Sequence, residues 1–453
     1  MLEGFHVIKK SSKMYIAICL SVLMLVSLFQ LPNRALAADP LNINADAAIL
    51  VEASTGKILY AKNEDTALGI ASMTKMMTEY LMFEAIHDKK ISWDQEHTIS
   101  EFVHDVSVDT RLSNVPLEVG QNYTIRELYE AMAIFSANGA TIAIAEAIAG
   151  SESAFVKMMN DKAKELGLDN YHFVNSTGLN NSDLQGKHPE GTGADEENVM
   201  SARSTAKLAM RIMEDFPEVL ETTSVPKKDF RNLEGQMKNW NLMLPSLEYE
   251  YPGVDGLKTG TTNFAGRCFT GTAKRGDFRV ITVVMNAKDE NGNSSDRGRF
   301  GETKKMLDYA FSNFSMKEII PKDYAIEGHK SLKVTKGKEK SVQIRTKDPL
   351  HVIVKNGQEE SFTPAFTVDE KKVSKDGEIK APIKKDEQVG VLTVVQEDQE
   401  DYGYVEKEYT PSVKVVTVDK VEKANWFVLM MRGVGGFFSD IWGSVTETVK
   451  GWF

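Results

Sequence analysis

Residues 254–287 read VDGLKTGTTNFAGRCFTGTAKRGDFRVITVVMNA. Two apolar, β-branched runs stand out, 266–273 and 278–286, with Lys274-Arg275-Gly276-Asp277 between them. This pattern predicts two antiparallel strands joined by a short turn. Far upstream, 48–53 and 57–61 repeat the pattern around Ser54-Thr55-Gly56 and predict a second hairpin. Between the hairpins the apolar spacing is helical, predicting helices over 72–86, 124–135 and 140–148. A further amphipathic helix, FVKMMNDKAKELGL, should stop at Gly167. Glycine and proline near 186–193, then an acidic run at 195–197, mark a long loop, and a helix over 302–311 closes the region. Strands on both sides of a helical middle predict an α+β domain over 38–318, an antiparallel sheet flanked by helices.

After about Pro321 the texture changes. Lysine becomes frequent and apolar residues alternate with period two from Val334, then over 341–345, 351–354, 390–395 and 412–418. Asn356-Gly357 and Asp376-Gly377 are hairpin turn pairs. These features predict a small β-rich domain over 320–415 with a solvated lysine and glutamate surface.

The 453 residues are 42% hydrophobic, enough to bury a large core and to build two or three domains. Lys+Arg number 54 against 65 Asp+Glu, a net charge of −11 that disfavours a phosphate backbone, so nucleic acid is not an expected partner. Cys19 and Cys268 are too few for a disulfide framework or a cysteine-rich zinc site. The eight histidines are scattered and no HExxH occurs, so no metal or cofactor is expected.

Both ends point to a membrane. Lys9, Lys10 and Lys13 precede an uncharged run, MYIAICLSVLMLVSLF, and Ala35-Leu36-Ala37 provides a small-residue cleavage site. Residues 1–37 thus read as a signal peptide, and the mature chain is expected outside the cytoplasmic membrane. At the other end, 421–453 carries Trp426, Phe427, Phe437, Phe438, Trp442, Trp452 and Phe453. Phe427, Met431, Val434, Phe438, Ile441, Val445 and Val449 share one helix face, while Arg432, Asp440, Glu447 and Lys450 interrupt any uncharged span. The segment reads as an amphipathic helix lying in the membrane interface rather than crossing it.

Three short motifs carry the chemistry. Ser72-Met73-Thr74-Lys75 opens an apolar helix and sets a lysine one turn after a serine. A serine hydroxyl needs a neighbour to take its proton, and a lysine held neutral by burial or by another cation does this. Ser136-Ala137-Asn138 follows the helix ending at Phe135, offering a second hydroxyl and an amide. Lys258-Thr259-Gly260 precedes the apolar strands, with a cation to keep Lys75 neutral, a hydroxyl for a substrate carboxylate, and a glycine to admit a substrate backbone along a strand edge.

Taken together in this order, the motifs resemble those of the penicillin-recognising serine acyltransferases. AAILVEASTGKILYAKN, KELGLDNYHFVNSTGL and VDGLKTGTTNFAGRCF resemble the low-molecular-weight D-alanyl-D-alanine carboxypeptidases of the penicillin-binding protein 5 type. The resemblance implies a β-lactamase/transpeptidase-like domain, then the β-rich domain and the terminal helix. It implies Ser72 as acyl-ester nucleophile, Lys75 as general base, and Ser136 and Asn138 as proton shuttle and substrate holder. Lys258 and Thr259 would bind the terminal carboxylate region, and the N–H groups of Ser72 and of Thr261, after Gly260, would form the oxyanion hole. Arg299, in SSDRGRFGETKKML, would read the free carboxylate, with neighbouring Arg297 as runner-up. The implied substrate is the peptidoglycan pentapeptide, with β-lactams as acylating inhibitors and no metal. Ser204 stands where the family commonly has an acid. A class A β-lactamase would require a deacylating glutamate, for which Glu165 is a poor candidate at a helix end, and an idle wall-binding protein would not require the intact Ser72, Lys75, Ser136 and Lys258.

Overall fold

A computed structural model of the chain describes residues 39–231, 233–357, 362–374, 376–396 and 402–431. The expected signal segment, 1–37, and residues 432–453 of the expected terminal helix lie outside the described residues. Residues 39–43 form a turn in which the Asp39 carboxylate accepts from the amides of Leu41, Asn42 and Ile43.

From Asn44 onward the chain opens with β1 (Ala47–Glu52) and β2 (Ile58–Lys62). The Glu52 carboxylate closes their turn by accepting from the amides and hydroxyls of Ser54 and Thr55. A 3₁₀ turn, Ala71–Thr74, feeds helix α1 (Lys75–His87). Helices α2 (Ile125–Phe135), α3 (Asn138–Ala149), α4 (Glu152–Glu165) and α5 (Ala202–Asp215) follow. The chain then forms β3 (Val254–Thr262), β4 (Gly266–Arg275), β5 (Phe278–Met285) and α6 (Asp296–Asn313). The antiparallel sheet has the order β3-β4-β5-β1-β2, so the first hairpin pairs with the last strand of the region, Ala47 opposite Met285. Every residue of β1 is buried, as an inner strand of a covered sheet requires.

Local chemistry explains the helix starts. Thr124 and Glu127 form a reciprocal capping box on α2, and Ser151, Ser201 and Ser295 cap α4, α5 and α6. Gly167, at φ +62°, ends the α4 segment where expected. Helix α1 is buried from Lys75 through Phe83, so it runs through the middle of the helical layer.

Two expectations need correction. Lys258-Thr259-Gly260 precedes β4 and β5 as expected, but it lies in a strand not foreseen, β3, the sheet edge. Gly253, Gly256 and Gly260 dilute the apolar alternation there, and pairing with β4 supplies the strand that local preference does not. The final helix starts at Asp296 and runs directly into strand Phe314–Ile320, which pairs with Leu350–Lys355.

The β-rich domain has a sheet in the order Phe362–Val368, Gln388–Gln396, Ser412–Thr417, Ser341–Thr346, Ser331–Thr335, Glu378–Lys380. Its core gathers Leu332, Ile344, Val354, Ile379, Leu392 and Val415. Val421 and Ala424 are buried with this domain, Val421 bridging Ile383; helical structure appears at 426–431. Residues 402–409 return to the first domain: Val405 joins its core, the Tyr404 carbonyl accepts from Arg203, and Glu406 pairs with Lys207. Among the described residues no helix is long and apolar enough to cross a membrane.

Candidate active site

The 3₁₀ turn places Ser72 at the head of α1, partly exposed, with Lys75 fully buried one turn later. Ala71, at φ +46°, lets the chain enter that turn. Two glycines make room for it. A Cβ on Gly178 would lie 1.9 Å from the Ala71 carbonyl oxygen, and one on Gly260 would lie 2.4 Å from that of Ile70. Gly260 is expected to admit substrate backbone; in the fold its bare face is taken up by the turn that carries Ser72.

The Lys75 amine has three polar partners: Asn138 Oδ1 at 2.8 Å, the Thr177 carbonyl at 2.7 Å and Ser72 Oγ at 3.1 Å. The first two only accept. A neutral amine has two N–H donors and one lone pair, so the two acceptors take the donors and the lone pair faces the Ser72 hydroxyl. Asn138 is oriented by its own donor, since its Nδ2 donates to the Ser113 carbonyl at 3.0 Å. The Thr177 carbonyl is held by a buried network. Asn175 Oδ1 accepts from the amides of Thr177 and Gly178, and Asn198 Oδ1 from those of Val174 and Asn175. Glu152 Oε1 accepts from the amide and hydroxyl of Ser176.

Ser136 caps α2 in the left-handed region at φ +60° and is nearly buried. Lys258, from β3, donates to Ser136 Oγ at 2.9 Å and to the Thr259 carbonyl at 3.2 Å. Burial first, and then the Lys258 charge, holds Lys75 well below the ordinary lysine range. Burial likewise pulls Lys258 down, opposed by Glu79. Motifs widely separated in sequence thus meet around two buried amines.

Arg299 is 1% exposed and lies behind β3. Its guanidinium donates to Thr261 Oγ1 at 3.1 Å and the Gly260 carbonyl at 3.3 Å and pairs with Asp296 at 2.6 Å. Arg297 points to the surface and pairs with Glu290. Arg267, opposite Thr261 on β4 and partly exposed, also pairs with Asp296; sequence reading passed it over because it belongs to no motif. The supports of Lys75, namely Thr177, Gly178, Asn175, Asn198 and Glu152, were missed for the same reason, although NSTG sits in a stretch already conspicuous for its resemblance. Glu165 is largely exposed and paired with Lys162 at the end of α4, as a helix-end glutamate. Ser204 hydrogen-bonds the amide and carbonyl of Asp169, tying the turn after α4 to α5. Cys268 is buried and its thiol is pushed up to about 11, an inert core residue.

A buried lysine amine beside a serine hydroxyl, in a turn against the edge strand of an antiparallel sheet, is the arrangement of a class of serine hydrolase that uses lysine in place of histidine. The sequence model described as D-alanyl-D-alanine carboxypeptidase matches residues 34–289, and that of the penicillin-binding protein 5 C-terminal domain matches 314–423. The chain belongs to the D-alanyl-D-alanine carboxypeptidase family. It is 33% identical to the D-alanyl-D-alanine carboxypeptidase DacF of Bacillus subtilis over 391 residues, 86% of this chain and 89% of that one. It is 30% identical to DacC of Escherichia coli over 414 residues, 91% of this chain and 90% of that one. Among solved structures, a peptidoglycan synthesis regulatory factor (PBP3) from Streptococcus pneumoniae matches at 37% identity and TM-score 0.73, covering 84% of this chain and 100% of the other. Penicillin-binding protein 5 from Haemophilus influenzae matches at 25% identity and TM-score 0.67, covering 85% and 100%.

Proposed function

We propose that this chain removes the terminal D-alanine from peptidoglycan stem peptides ending in D-Ala-D-Ala, through an acyl-enzyme on Ser72. The carrying observation is the buried Lys75 amine, whose two acceptor partners leave its lone pair for the Ser72 hydroxyl. Ser72 Oγ attacks the penultimate D-alanine carbonyl and passes its proton to Lys75 Nζ. The N–H groups of Ser72 and Thr261 bind the developing oxyanion. The C–N bond then breaks as a proton travels from Lys75 through the Ser136 hydroxyl to the leaving nitrogen. Water attacks the ester, Lys75 takes its proton, and Ser72 recovers one as the C–O bond breaks. Lys258, Thr259 and Thr261 meet the free carboxylate, with the Arg299 charge acting through the Thr261 hydroxyl. β-Lactams acylate Ser72 by the same attack.

We further propose that 1–37 directs export and that the chain works at the outer face of the bacterial cell membrane, held by the segment from 426. The exposed Trp426, Phe427, Met430 and Met431 support this reading. The experiment is labelling of the purified protein with fluorescent penicillin, a chase, and an assay of D-alanine release from a diacyl-D-Ala-D-Ala peptide. Stable label with D-alanine release supports the carboxypeptidase. Rapid loss of label without D-alanine release would make it a β-lactamase, and absence of label a wall-binding protein.

A further inference from the structure

Glu79 lies one helical turn beyond Lys75 on α1, so the two side chains share a face. It is fully buried, and neither carboxylate oxygen has a hydrogen-bond partner. An unpartnered buried carboxylate is costly, and among the described residues no cap, turn or ion pair explains it. What surrounds it is charge. Lys258, from β3, and Lys75 both pull on it through space, while burial pushes its pKa up. In return Glu79 is the group that favours the proton on Lys258, whereas burial and Arg299 disfavour it.

The other titratable groups on the elements packed against α1 are engaged elsewhere, save Tyr129, which burial and Glu79 keep protonated, and Glu152, which also bears on Lys75. On α2, the Tyr129 hydroxyl is pushed up by burial and by Glu79, and Glu130 pairs with Lys228. On α3, Glu146 pairs with His97. On α4, Glu152 binds Ser176 and bears on Lys75, and Lys162 pairs with Glu84 and Glu165. On α5, Asp215 binds Tyr80 and Arg211, while Arg203 pairs with Glu64 and Asp65.

We propose that Glu79 is the buried counter-ion of the two-lysine cleft, a positioning residue that acts through Lys258 and Lys75 on the acylation of Ser72. The inference rests on the carboxypeptidase reading above and deepens it. With Glu79 ionised, one anion balances one ammonium: Lys258 keeps its proton, and the remaining amine, Lys75, stays free to take one from Ser72.

The sign follows. Removing the carboxylate removes an attraction that favours the charged form of both lysines, so both lose their protons at lower pH. The rate of acylation requires neutral Lys75 and charged Lys258; burial pushes Glu79 up to about 7, so its charge acts above that pH, and it is the alkaline limb, set by Lys258, that slides toward acid. A packing defect would lower the curve without moving it along the pH axis.

The test is the second-order rate of acylation by fluorescent penicillin, from about pH 6 to about pH 10, for the full chain, Glu79→Gln and Glu79→Met. Glu79 makes no hydrogen bond, so both variants should fold, Met being close in volume; either alone decides. The expected result is an alkaline limb lower by about one pH unit, and hence an acylation rate about tenfold below wild type on that limb. An alkaline limb that stays at the wild-type pH overturns the inference, whatever happens to the maximum. Failure of wild type to label while the chain is folded would instead overturn the carboxypeptidase reading itself.

Discussion

The turn that carries Ser72 should be broken by one methyl group placed outside every motif. In Gly178→Ala the new Cβ would sit 1.9 Å from the Ala71 carbonyl oxygen, 2.3 Å from its carbon and 2.8 Å from Thr74 Oγ1. Two of these three atoms are backbone, so no rotamer change relieves the clash. Gly178 also has φ +83°, where an L-residue costs about 1–2 kcal/mol. Overpacking a close-packed site typically adds about 1–3 kcal/mol. For a domain of this size the two effects imply a fall in melting temperature on the order of 5–15 °C. The nucleophile should suffer more than the fold, because the displaced atoms belong to the residue before Ser72. A shift of about 1 Å in a reacting group costs roughly 10²-fold in rate. Calorimetry of the full chain gives the first quantity and the rate of fluorescent penicillin acylation the second. A variant that melts with wild type and acylates at the wild-type rate would refute the argument that the two glycines clamp the turn.

Further outcomes follow from the same contacts. Asn138→Ala deprives the Lys75 amine of one of its two fixed acceptors and should slow acylation by roughly 10–100-fold, with little loss of melting temperature, as stopped-flow labelling and a thermal scan would show. Lys258→Met removes the second cause that holds Lys75 down. Acylation should fall, since charged Lys258 is lost; less depressed, Lys75 would become neutral only at higher pH, so the acidic limb of the residual acylation should move up, opposite in sense to the Glu79 variants, and an unmoved limb would contradict the assigned interplay of the two lysines. Deleting 426–453 should leave D-alanine release intact and move the exported protein to the soluble fraction. Starting that deletion at 421 should also destabilise the β-rich domain, because Val421 and Ala424 are part of its packing.

How much was legible beforehand varies by residue, for physical reasons. Period-two and period-3.6 apolar patterns are local consequences of burial on one face, so the hairpin 266–286, helix α2 and the stop at Gly167 were readable from neighbours in sequence. Ser72, Lys75, Ser136, Asn138 and Lys258 were readable from motif order, because side chains of this chemistry recur at this spacing. Strand β3 was not, since its glycines leave no alternation, and it exists because β4 pairs with it. The supports of the Lys75 amine were also hidden: Thr177 contributes a carbonyl, which every residue has, and only the fold aims it.

The sequence alone determined which groups are available: Ser72, Ser136, two lysines, a net negative charge and two apolar ends. Tertiary structure decided what those groups are. Lys75 is a buried amine held below the ordinary lysine range, and not a surface cation, because helices and a sheet edge close over it, and because Lys258 is delivered beside Ser136 from a strand 122 positions away in the chain. The state of a proton depends on dielectric and on distance to other charges, and both are properties of the packed molecule that no local stretch of residues contains.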